Sequence, residues 1–292
     1  MVPSEHRLSK GRPRPAILRA LGHDEPPLSV SIDGQSYRRL TIYKHDTMAA
    51  TALYAGPAGR VICKFSRTQP LFFLPLAWLG RRIARHEARL LTLLADLPNV
   101  PTLMGPVHLD GKPAPHVMAR QYIEGHPLAR HETVSEDFFP RLQSTLNTMH
   151  ARNIAYVDLH KRENIIVDDQ GHPHLIDFQV SFVLPTGLRG LPLRWLFRLY
   201  KMGDRHHLLK HIHRHRPDQL PADARDPHRS PPWIIRLWRT LVAKPFRLVR
   251  RSLLVLLGVR KGKGHATTEF APEDAVQREM ARAHSSPTSD MA

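Results

Sequence analysis

Residues 156–179 read YVDLHKRENIIVDDQGHPHLIDFQ. Within this stretch, the strand-like runs IIV (165–167) and HLID (174–177) flank the turn sequence DDQG (168–171). Short apolar runs on either side of a turn that contains glycine are typical of a β-hairpin. The sequence therefore predicts a hairpin in the second half of the chain.

Three oxygen-bearing side chains flank the predicted hairpin. Asn164 precedes its first strand, Asp177 ends its second strand, and Asp158 lies in the loop that leads into it. Mg²⁺ commonly takes one or two carboxylates and completes its shell with waters and substrate phosphates. The remaining carboxylate can orient or deprotonate an attacking hydroxyl. We therefore expect an oxygen-rich magnesium site at this hairpin.

Composition narrows the class of protein. A chain of 292 residues is long enough for one large domain or two small lobes. The single cysteine, Cys63, excludes an intramolecular disulfide and fits a reducing compartment. The net charge of +17 indicates an anionic partner, such as nucleic acid, a phospholipid surface or a phosphorylated glycan.

Neither a signal peptide nor a membrane-spanning segment is apparent. The longest apolar runs, at 71–80 and 253–259, are shorter than the ~20 residues that cross a bilayer. We expect a cytoplasmic protein, with a peripheral position on the inner face of the cytoplasmic membrane as a further expectation.

The order of predicted elements indicates an α+β fold. Asp33-Gly34 predicts a hairpin turn, and strands are predicted at 51–56 and 60–66. Apolar residues at helical spacing predict a helix over 81–97. A strand that runs into a turn follows at 115–125, and then a helix over 135–154 with Ser135 as its N-cap.

The stretch at 156–179 resembles the catalytic and metal-binding loops of the protein-kinase-like superfamily. The most similar branch contains bacterial lipopolysaccharide (Kdo and heptose) kinases, RIO-like kinases and aminoglycoside phosphotransferases. Asp158 matches the catalytic aspartate, Asn164 the metal-binding asparagine, and Asp177 the metal-binding aspartate of the Asp-Phe-Gly motif. The resemblance covers roughly residues 30–204. It implies a two-lobed fold, with a small antiparallel-sheet N-lobe that carries one helix and a mainly helical C-lobe, and it implies ATP and Mg²⁺ as cofactors.

The chain departs from the family pattern at three positions. Tyr156 replaces the histidine of His-Arg-Asp, and Gln179 replaces the glycine of Asp-Phe-Gly. The interval from Asp158 to Asn164 is one residue longer than in the family, so the loop must bulge. The interval of 13 residues from Asn164 to Asp177 is the expected one.

Further site residues are implied by position. Lys64 lies alone in an apolar strand, and a buried lysine needs a partner. In the family this lysine holds the α- and β-phosphates and pairs with a helix glutamate. Glu87 is the only acidic residue between Lys64 and Asp96, so it is the expected partner. The alternative is an edge-strand lysine with a solvated tip.

The nucleotide would contact three other segments. The loop that covers the phosphates is expected at 44–50, where Thr47 offers a hydroxyl and no glycine is present; the alternative is a simple hairpin turn. The adenine is expected to bind backbone groups of Gln121 and Ile123. His160 matches the Asp-Leu-His of the antibiotic phosphotransferases, which implies a nucleotide-binding role.

The predicted organisation has five parts. They are a disordered basic N-terminus (1–27), a kinase-like N-lobe (28–122), a kinase-like C-lobe (123–230), a basic amphipathic helical segment (231–264) and a flexible tail (265–292). Within the C-lobe, Asp204 either braces the backbone of the catalytic loop or serves as a helix N-cap.

Most of the positive charge lies in residues 186–264. In 231–264, Trp233 and Trp238 alternate with arginines, a composition typical of a helix in a membrane interface. The apolar stretch at 70–82 also ends in arginines. For both segments, the alternative is docking on the protein's own core. The basic, histidine-rich segment at 203–217 favours nucleic acid instead.

These features together predict a kinase that transfers the γ-phosphoryl group of ATP to a hydroxyl. The acceptor is a membrane-associated glycolipid or lipopolysaccharide-type molecule, or a protein Ser/Thr. One alternative is a catalytically weak pseudokinase that acts as an adaptor at the membrane. A second is an RIO-like, RNA-associated kinase.

Overall fold

The computed structural model describes residues 15–70 and 74–220. The expectations for residues 1–14, for the amphipathic segment at 231–264 and for the tail lie outside these residues. Residues 15–27, predicted to be disordered with the rest of 1–27, are described and bury Leu18, Ala20 and Leu21. The described part divides into two compact units. The first contains residues 15–84 and 105–119, and the second contains residues 85–104 and 120–220.

A seven-stranded antiparallel sheet forms the first unit. Its strand order is β6-β5-β1-β2-β3-β4-β7. The strands are β1 (Ser29–Ile32), β2 (Gln35–His45), β3 (Ala49–Gly56), β4 (Gly59–Ser66), β5 (Val107–Leu109), β6 (Lys112–Pro113) and β7 (Val117–Gln121). The chain enters the second unit first within α1, at Arg85, and again within β7, at Arg120.

The hairpin predicted at Asp33-Gly34 is confirmed. Ile32 pairs with Gln35, and both turn residues have positive φ, 48° for Asp33 and 77° for Gly34. Two consecutive residues in this conformation match the twist of the flanking strands. The predicted strands at 51–56 and 60–66 are also confirmed, as the paired β3 and β4.

Helix α1 (Ala77–Leu93) begins and ends earlier than the sequence predicted. Gly80 lies within it, and a Cβ at this position would be 2.0 Å from the carbonyl oxygen of Arg67. Only glycine permits such a close approach of helix and backbone. The apparent breaker is therefore a packing residue, and the helix starts before it.

The second unit contains five short strands, two complete helices and the C-terminal part of α1. Its elements are β8 (Gly125–Pro127), α2 (Phe138–Ala151), β9 (Ile154–Ala155), β10 (Ile165–Asp168), β11 (Pro173–Leu175), β12 (Phe182–Val183) and α3 (Arg194–His215). Strands β11, β10 and β8 form one sheet, and β12 pairs with β9. A 3₁₀ helix, Gly187–Leu193, leads directly into α3.

The predicted N-cap of α2 is wrong. Asp137 occupies the N-cap position, and the hydroxyl of Ser135 donates a hydrogen bond to its Oδ1 over 2.8 Å. Pro140 explains the shift, because proline has no N–H and fits only the first turn of a helix. A helix capped at Ser135 would place Pro140 beyond that turn.

The hairpin predicted from residues 165–177 is confirmed, with Ile165 opposite Leu175 and Val167 opposite Pro173. Its second strand ends at Leu175 rather than at Asp177. The fold is mixed α+β, as predicted. No helix of residues 15–70 and 74–220 has the length and apolar character needed to cross a membrane.

Candidate active site

Asp158 and Asn164 form the centre of the candidate site. Both side chains are buried, and Nδ2 of Asn164 donates to Oδ2 of Asp158 over 3.0 Å. The same nitrogen lies 3.4 Å from the Asp158 carbonyl oxygen. The 3₁₀ helix Arg162–Asn164 absorbs the extra residue of the loop and returns Asn164 to the start of β10.

Two cationic or ionisable side chains approach the carboxylate of Asp158. Nζ of Lys161 lies 2.7 Å from Oδ2, and Nδ1 of His160 lies 3.3 Å from Oδ1. Both side chains are about half-exposed, so they border the site on its solvent side. Sequence reasoning missed Lys161, although its place three residues after Asp158 was visible within the bulged loop.

Asp177 lies next to this loop but beyond the β-hairpin. The N–H of the preceding residue, Ile176, donates to the carbonyl oxygen of Asn164 over 3.0 Å. Asp177 itself has a left-handed backbone, with φ of 64°. Such a conformation is uncommon for a residue other than glycine. The structure thus brings together the loops that carry all three residues predicted from the motif.

Tyr156 links the two loops. Its hydroxyl donates to the carbonyl oxygen of Ile176, and its ring packs edge-on against Phe178 with centroids 5.3 Å apart. The hydroxyl of Ser181 donates to the Tyr156 carbonyl over 3.0 Å. Tyrosine at this position therefore joins the Asp158 loop to the Asp177 loop through both its ring and its hydroxyl.

The region around Tyr156 is strongly acidic. Burial raises the pKa of the Tyr156 hydroxyl well above its ordinary value. Four negative charges add to the rise in this pKa, those of Asp177, Asp158, Asp204 and Glu87. A carboxylate raises the pKa of a phenol only when it is near. Glu87, which is itself buried in α1, is therefore an electrostatic neighbour of Tyr156.

Asp204 braces the backbone that precedes Asp158. Its side chain is fully buried, at 0% exposure. Oδ2 accepts from the N–H of Tyr156, and Oδ1 accepts from the N–H of Val157, both over 2.8 Å. His150 Nε2 donates to Oδ2 over 2.9 Å. Asp204 lies inside α3, so the N-cap alternative is wrong.

The braced segment is strained. Val157 has φ of 72°, which is a genuine outlier for a β-branched residue. Strained backbone of this kind costs on the order of 1–3 kcal/mol and persists only where its surroundings enforce it. The hydrogen bond from the Val157 N–H to Asp204 supplies that enforcement, and the next residue is Asp158.

Lys64 and Thr47 belong to the first unit. Lys64 is buried in β4, where it pairs with Thr51 across the sheet. Thr47 lies in the turn between β2 and β3, and its carbonyl oxygen accepts from Nη1 of Arg67 over 2.8 Å. The ion pair of Lys64 with Glu87 and the contact of Thr47 with nucleotide stay predictions.

The turn at 46–48 uses its own backbone donors. Oδ1 of Asp46 accepts from the N–H groups of Met48 and Ala49, over 2.8 and 2.9 Å. These donors are therefore engaged within the turn rather than directed at a ligand. The hydroxyl of Thr47 stays the candidate phosphate contact of this loop.

Gln121 and Ile123 differ in whether their backbone N–H and carbonyl groups are already hydrogen-bonded within the protein. The N–H of Gln121 donates to the Thr102 carbonyl over 2.9 Å, and its carbonyl accepts from Nη1 of Arg120 over 3.0 Å. Ile123 forms no hydrogen bond in the described parts of the chain. Ile123 is therefore the better placed of the two predicted adenine contacts.

The histidine-rich segment at 203–217 faces inward for much of its length. His206, His211 and His215 are buried. Nε2 of His211 donates to the Leu159 carbonyl over 2.8 Å, and Nδ1 of His215 donates to the Glu132 carbonyl over 2.9 Å. His211 thus supports the loop that carries Asp158, His215 bonds to a different segment, and these three buried imidazoles are not available to an external nucleic acid.

Asn164 and Asp177 have the chemistry that a magnesium ion requires. The amide nitrogen of Asn164 is engaged by Asp158, whereas its Oδ1 accepts no hydrogen bond from the residues that the structure describes. Together with the carboxylate of Asp177, this amide oxygen would provide the few hard oxygen ligands that Mg²⁺ takes when phosphates complete its shell. Within residues 15–70 and 74–220, no three His, Cys, Asp or Glu side chains form a cluster able to hold a metal.

Comparison with protein-family models gave no match, and no curated protein matched the chain in sequence.

Proposed function

We propose that this protein is an ATP- and Mg²⁺-dependent phosphotransferase with a hydroxyl group as acceptor. The observation that carries the proposal is the hydrogen bond between the buried Asn164 and Asp158 side chains. This bond fixes the Asp158 carboxylate beside the side-chain amide of Asn164. The N–H of Ile176 donates to the carbonyl oxygen of Asn164, which ties the loop that carries Asp177 to the same segment. Phosphoryl transfer relies mainly on such positioning and on charge neutralisation.

Each residue of the cluster has a role in the proposed reaction. Asp158 orients the acceptor hydroxyl and takes its proton. The acceptor oxygen bonds to the γ-phosphorus as the bond to the β,γ-bridging oxygen breaks, and ADP leaves. Lys161, 2.7 Å from Asp158, neutralises charge on the transferred group. Asn164 and Asp177 would hold Mg²⁺, which neutralises phosphate charge when it is bound.

The proposal includes a two-lobed kinase-like arrangement. Lys64 and Glu87 would position the α- and β-phosphates as an ion pair. Thr47 would contact the phosphates, and the backbone of Ile123 or Gln121 would contact the adenine. His160, which approaches Asp158 from the solvent side, would contact the nucleotide at its phosphate end.

A glycolipid or lipopolysaccharide-type acceptor at an anionic membrane fits the strongly positive chain best. A protein Ser/Thr acceptor is the other form of the proposal. The peripheral position at a membrane belongs to the same proposal.

A pseudokinase is the second candidate, and one observation favours it. The N–H groups of Met48 and Ala49 are hydrogen-bonded to Asp46. A loop that uses its own donors has fewer left to hold the phosphates for transfer. The strained and braced loop at Asp158 favours the active enzyme instead.

ATP turnover by the full-length chain tests the proposal. Wild type should release ADP in the presence of Mg²⁺, and Asp158→Ala should lower this rate about 10²-fold or more while ATP affinity is kept. Asp177→Asn should remove the part of ATP affinity that depends on Mg²⁺, as measured by calorimetry. Asp169→Asn, an exposed residue of the same hairpin, is the matched control and should change neither.

The outcomes separate the candidates. Nucleotide binding without turnover by wild type would establish the pseudokinase. Absence of both binding and turnover would reject the nucleotide site itself. Equal loss in Asp169→Asn and Asp177→Asn would show that the effect arises from general charge.

A further inference from the structure

A cavity of about 360 Å³ lies at the start of α3, apart from the carboxylate cluster. The segment at 184–187 lines one side of it, and the first two turns of α3 line the other. Asn153 also borders it, and the carbonyl oxygen of Asn153 accepts from the N–H of Leu184 over 2.9 Å. We call this cavity the basic pocket.

Three cations converge on the basic pocket. Arg194, Arg198 and Lys201 line it from α3, at positions i, i+4 and i+7, which share one helix face. No carboxylate lines the cavity, and none of these cations forms an ion pair with another described residue. The positive end of the α3 dipole lies at the same place. The pocket is therefore suited to an anion.

A phosphate group fits this arrangement better than a diffuse negative surface does. Guanidinium groups match phosphate oxygens with two parallel hydrogen bonds, and an ammonium adds a point charge. Thr186, which also lines the cavity, offers a hydroxyl donor. A dianionic phosphate monoester would offset more of the charge of three cations than a phosphodiester.

Exposed apolar side chains belong to residues that adjoin the lining of the basic pocket along the chain. Leu188 is 83% exposed, Leu191 is 50% exposed and Trp195 is 60% exposed. Leu188 and Leu191 are three residues apart in a 3₁₀ helix, a spacing that places side chains above one another. Trp195 follows Leu191 by four residues and immediately follows Arg194. The apolar group thus continues onto the helix that carries the cations.

We propose that this corner binds a phosphate-bearing lipid headgroup at a membrane surface. The basic pocket takes the phosphate, and Leu188, Leu191 and Trp195 enter the boundary between headgroups and acyl chains. Tryptophan and leucine beside arginine and lysine are typical of such interfacial contacts. The site does not require phosphoryl transfer, so the inference goes beyond the proposed function.

The position of the pocket has a consequence for the candidate active site. Asp158 follows Asn153 by only five positions in the chain, a span of at most about 18 Å. A lipid phosphate in the basic pocket would therefore hold Asp158 close to the membrane surface. The residues that line the basic pocket lie within 153–201, so the pocket is a separate membrane contact from the amphipathic segment predicted at 231–264.

Flotation of the full-length protein with vesicles tests the proposal. One set of vesicles contains phosphatidylcholine with a minor fraction of phosphatidic acid, a monoester. In the other set, phosphatidylserine supplies the same surface charge. Wild type should prefer phosphatidic acid. The double variant Arg194→Ala/Arg198→Ala should bind about 25-fold more weakly, since each basic residue near an anionic surface contributes about fivefold, and should lose the preference.

Two further variants separate the pocket from general charge. Arg205→Ala removes an exposed arginine from the same helix but outside the pocket, and it should keep the preference for phosphatidic acid. Trp195→Ala should weaken vesicle binding at high salt, where screening removes most of the charge contribution. Arg198→Lys keeps the positive charge but removes the paired N–H donors of the guanidinium. It should therefore reduce the preference for phosphatidic acid, and it remains informative if the double variant does not fold.

Inorganic phosphate distinguishes a lipid ligand from a free one. It should compete weakly with vesicles, because it lacks the apolar contact. Equal affinity for inorganic phosphate and vesicles, with no effect of Trp195→Ala, would overturn the lipid assignment. No preference for phosphatidic acid in wild type, or an equal loss of preference in Arg205→Ala, would overturn the pocket.

Discussion

Asp204 offers the sharpest test of how the candidate active site is held together. The carboxylate is fully buried and accepts three hydrogen bonds, from the Tyr156 N–H, the Val157 N–H and His150. Asp204→Ala removes all three acceptor contacts and leaves two backbone N–H groups buried without a partner. Each such group costs about 1–3 kcal/mol. We expect a loss of about 3–6 kcal/mol in the free energy of unfolding of the second unit.

The loss should be local before it is global. Without Asp204, the Val157 N–H loses the acceptor that supports its positive φ, so the loop that carries Asp158 should relax. Hydrogen exchange measured by mass spectrometry should show faster exchange at residues 156–158, and urea unfolding should show a lower midpoint. Transfer activity should fall more than ATP affinity does, because Asp158 would be misplaced.

A surface aspartate provides the control. Asp218 forms an ion pair with Arg216 over 2.7 Å and is largely exposed. Asp218→Ala should cost less than about 1 kcal/mol, as exposed ion pairs usually do. If Asp204→Ala costs no more than Asp218→Ala and leaves exchange at residues 156–158 unchanged, Asp204 does not brace the loop.

Two further predictions concern stability. The guanidinium of Arg67 is fully buried and donates to five backbone carbonyls, among them that of Thr47 over 2.8 Å. Arg67→Ala should therefore cost about 3–5 kcal/mol in urea unfolding of the first unit, because these carbonyls lose their donor together. Burial lowers the pKa of His211 to about 4 in the folded protein. In the unfolded chain this histidine has its ordinary pKa of about 6.5, so as the pH falls it is protonated in the unfolded chain before it is protonated in the folded protein. His211 should thus cost about 2 kcal/mol of stability between pH 7 and pH 5, and His211→Gln should remove that part of the acid sensitivity.

Each of these has its own control. Arg38→Ala, at an exposed position of β2, should change stability by no more than about 0.5 kcal/mol. A similar midpoint for Arg67→Ala and Arg38→Ala would contradict the role of Arg67. Above pH 7, His211 should contribute almost nothing to the pH dependence of the free energy of unfolding. If His211→Gln leaves the slope of this free energy against pH unchanged between pH 7 and pH 5, the assignment is refuted.

Local signals determined much of the secondary structure. Asp33-Gly34 predicted its hairpin because the two residues tolerate positive φ, and the runs at 165–167 and 174–177 predicted theirs because short apolar runs flank a turn that contains glycine. The motif spacing also predicted that the loops of Asp158, Asn164 and Asp177 would meet. These inferences needed only neighbours in the chain, so the sequence contained them.

Element ends and support contacts required the tertiary structure. Gly80 looks like a helix breaker in sequence, and only the carbonyl of Arg67 beside it shows why α1 includes it. Similarly, Tyr156 stands where the kinase-like pattern has histidine. Its role in joining two loops is visible only in the structure, where its hydroxyl donates to the Ile176 carbonyl. The packing role of Gly80 and the linking role of Tyr156 each depend on a residue that is distant along the chain.

The sequence by itself therefore determined which side chains are candidates for the chemistry, because their spacing around one hairpin is a local property. Only the tertiary structure decided what holds them. Asp204 follows Asp158 by 46 residues and could have been a helix cap, but the fold places its carboxylate under the N–H groups of Tyr156 and Val157. Buried polar groups must find partners wherever the folded chain provides them, and sequence distance does not restrict that choice.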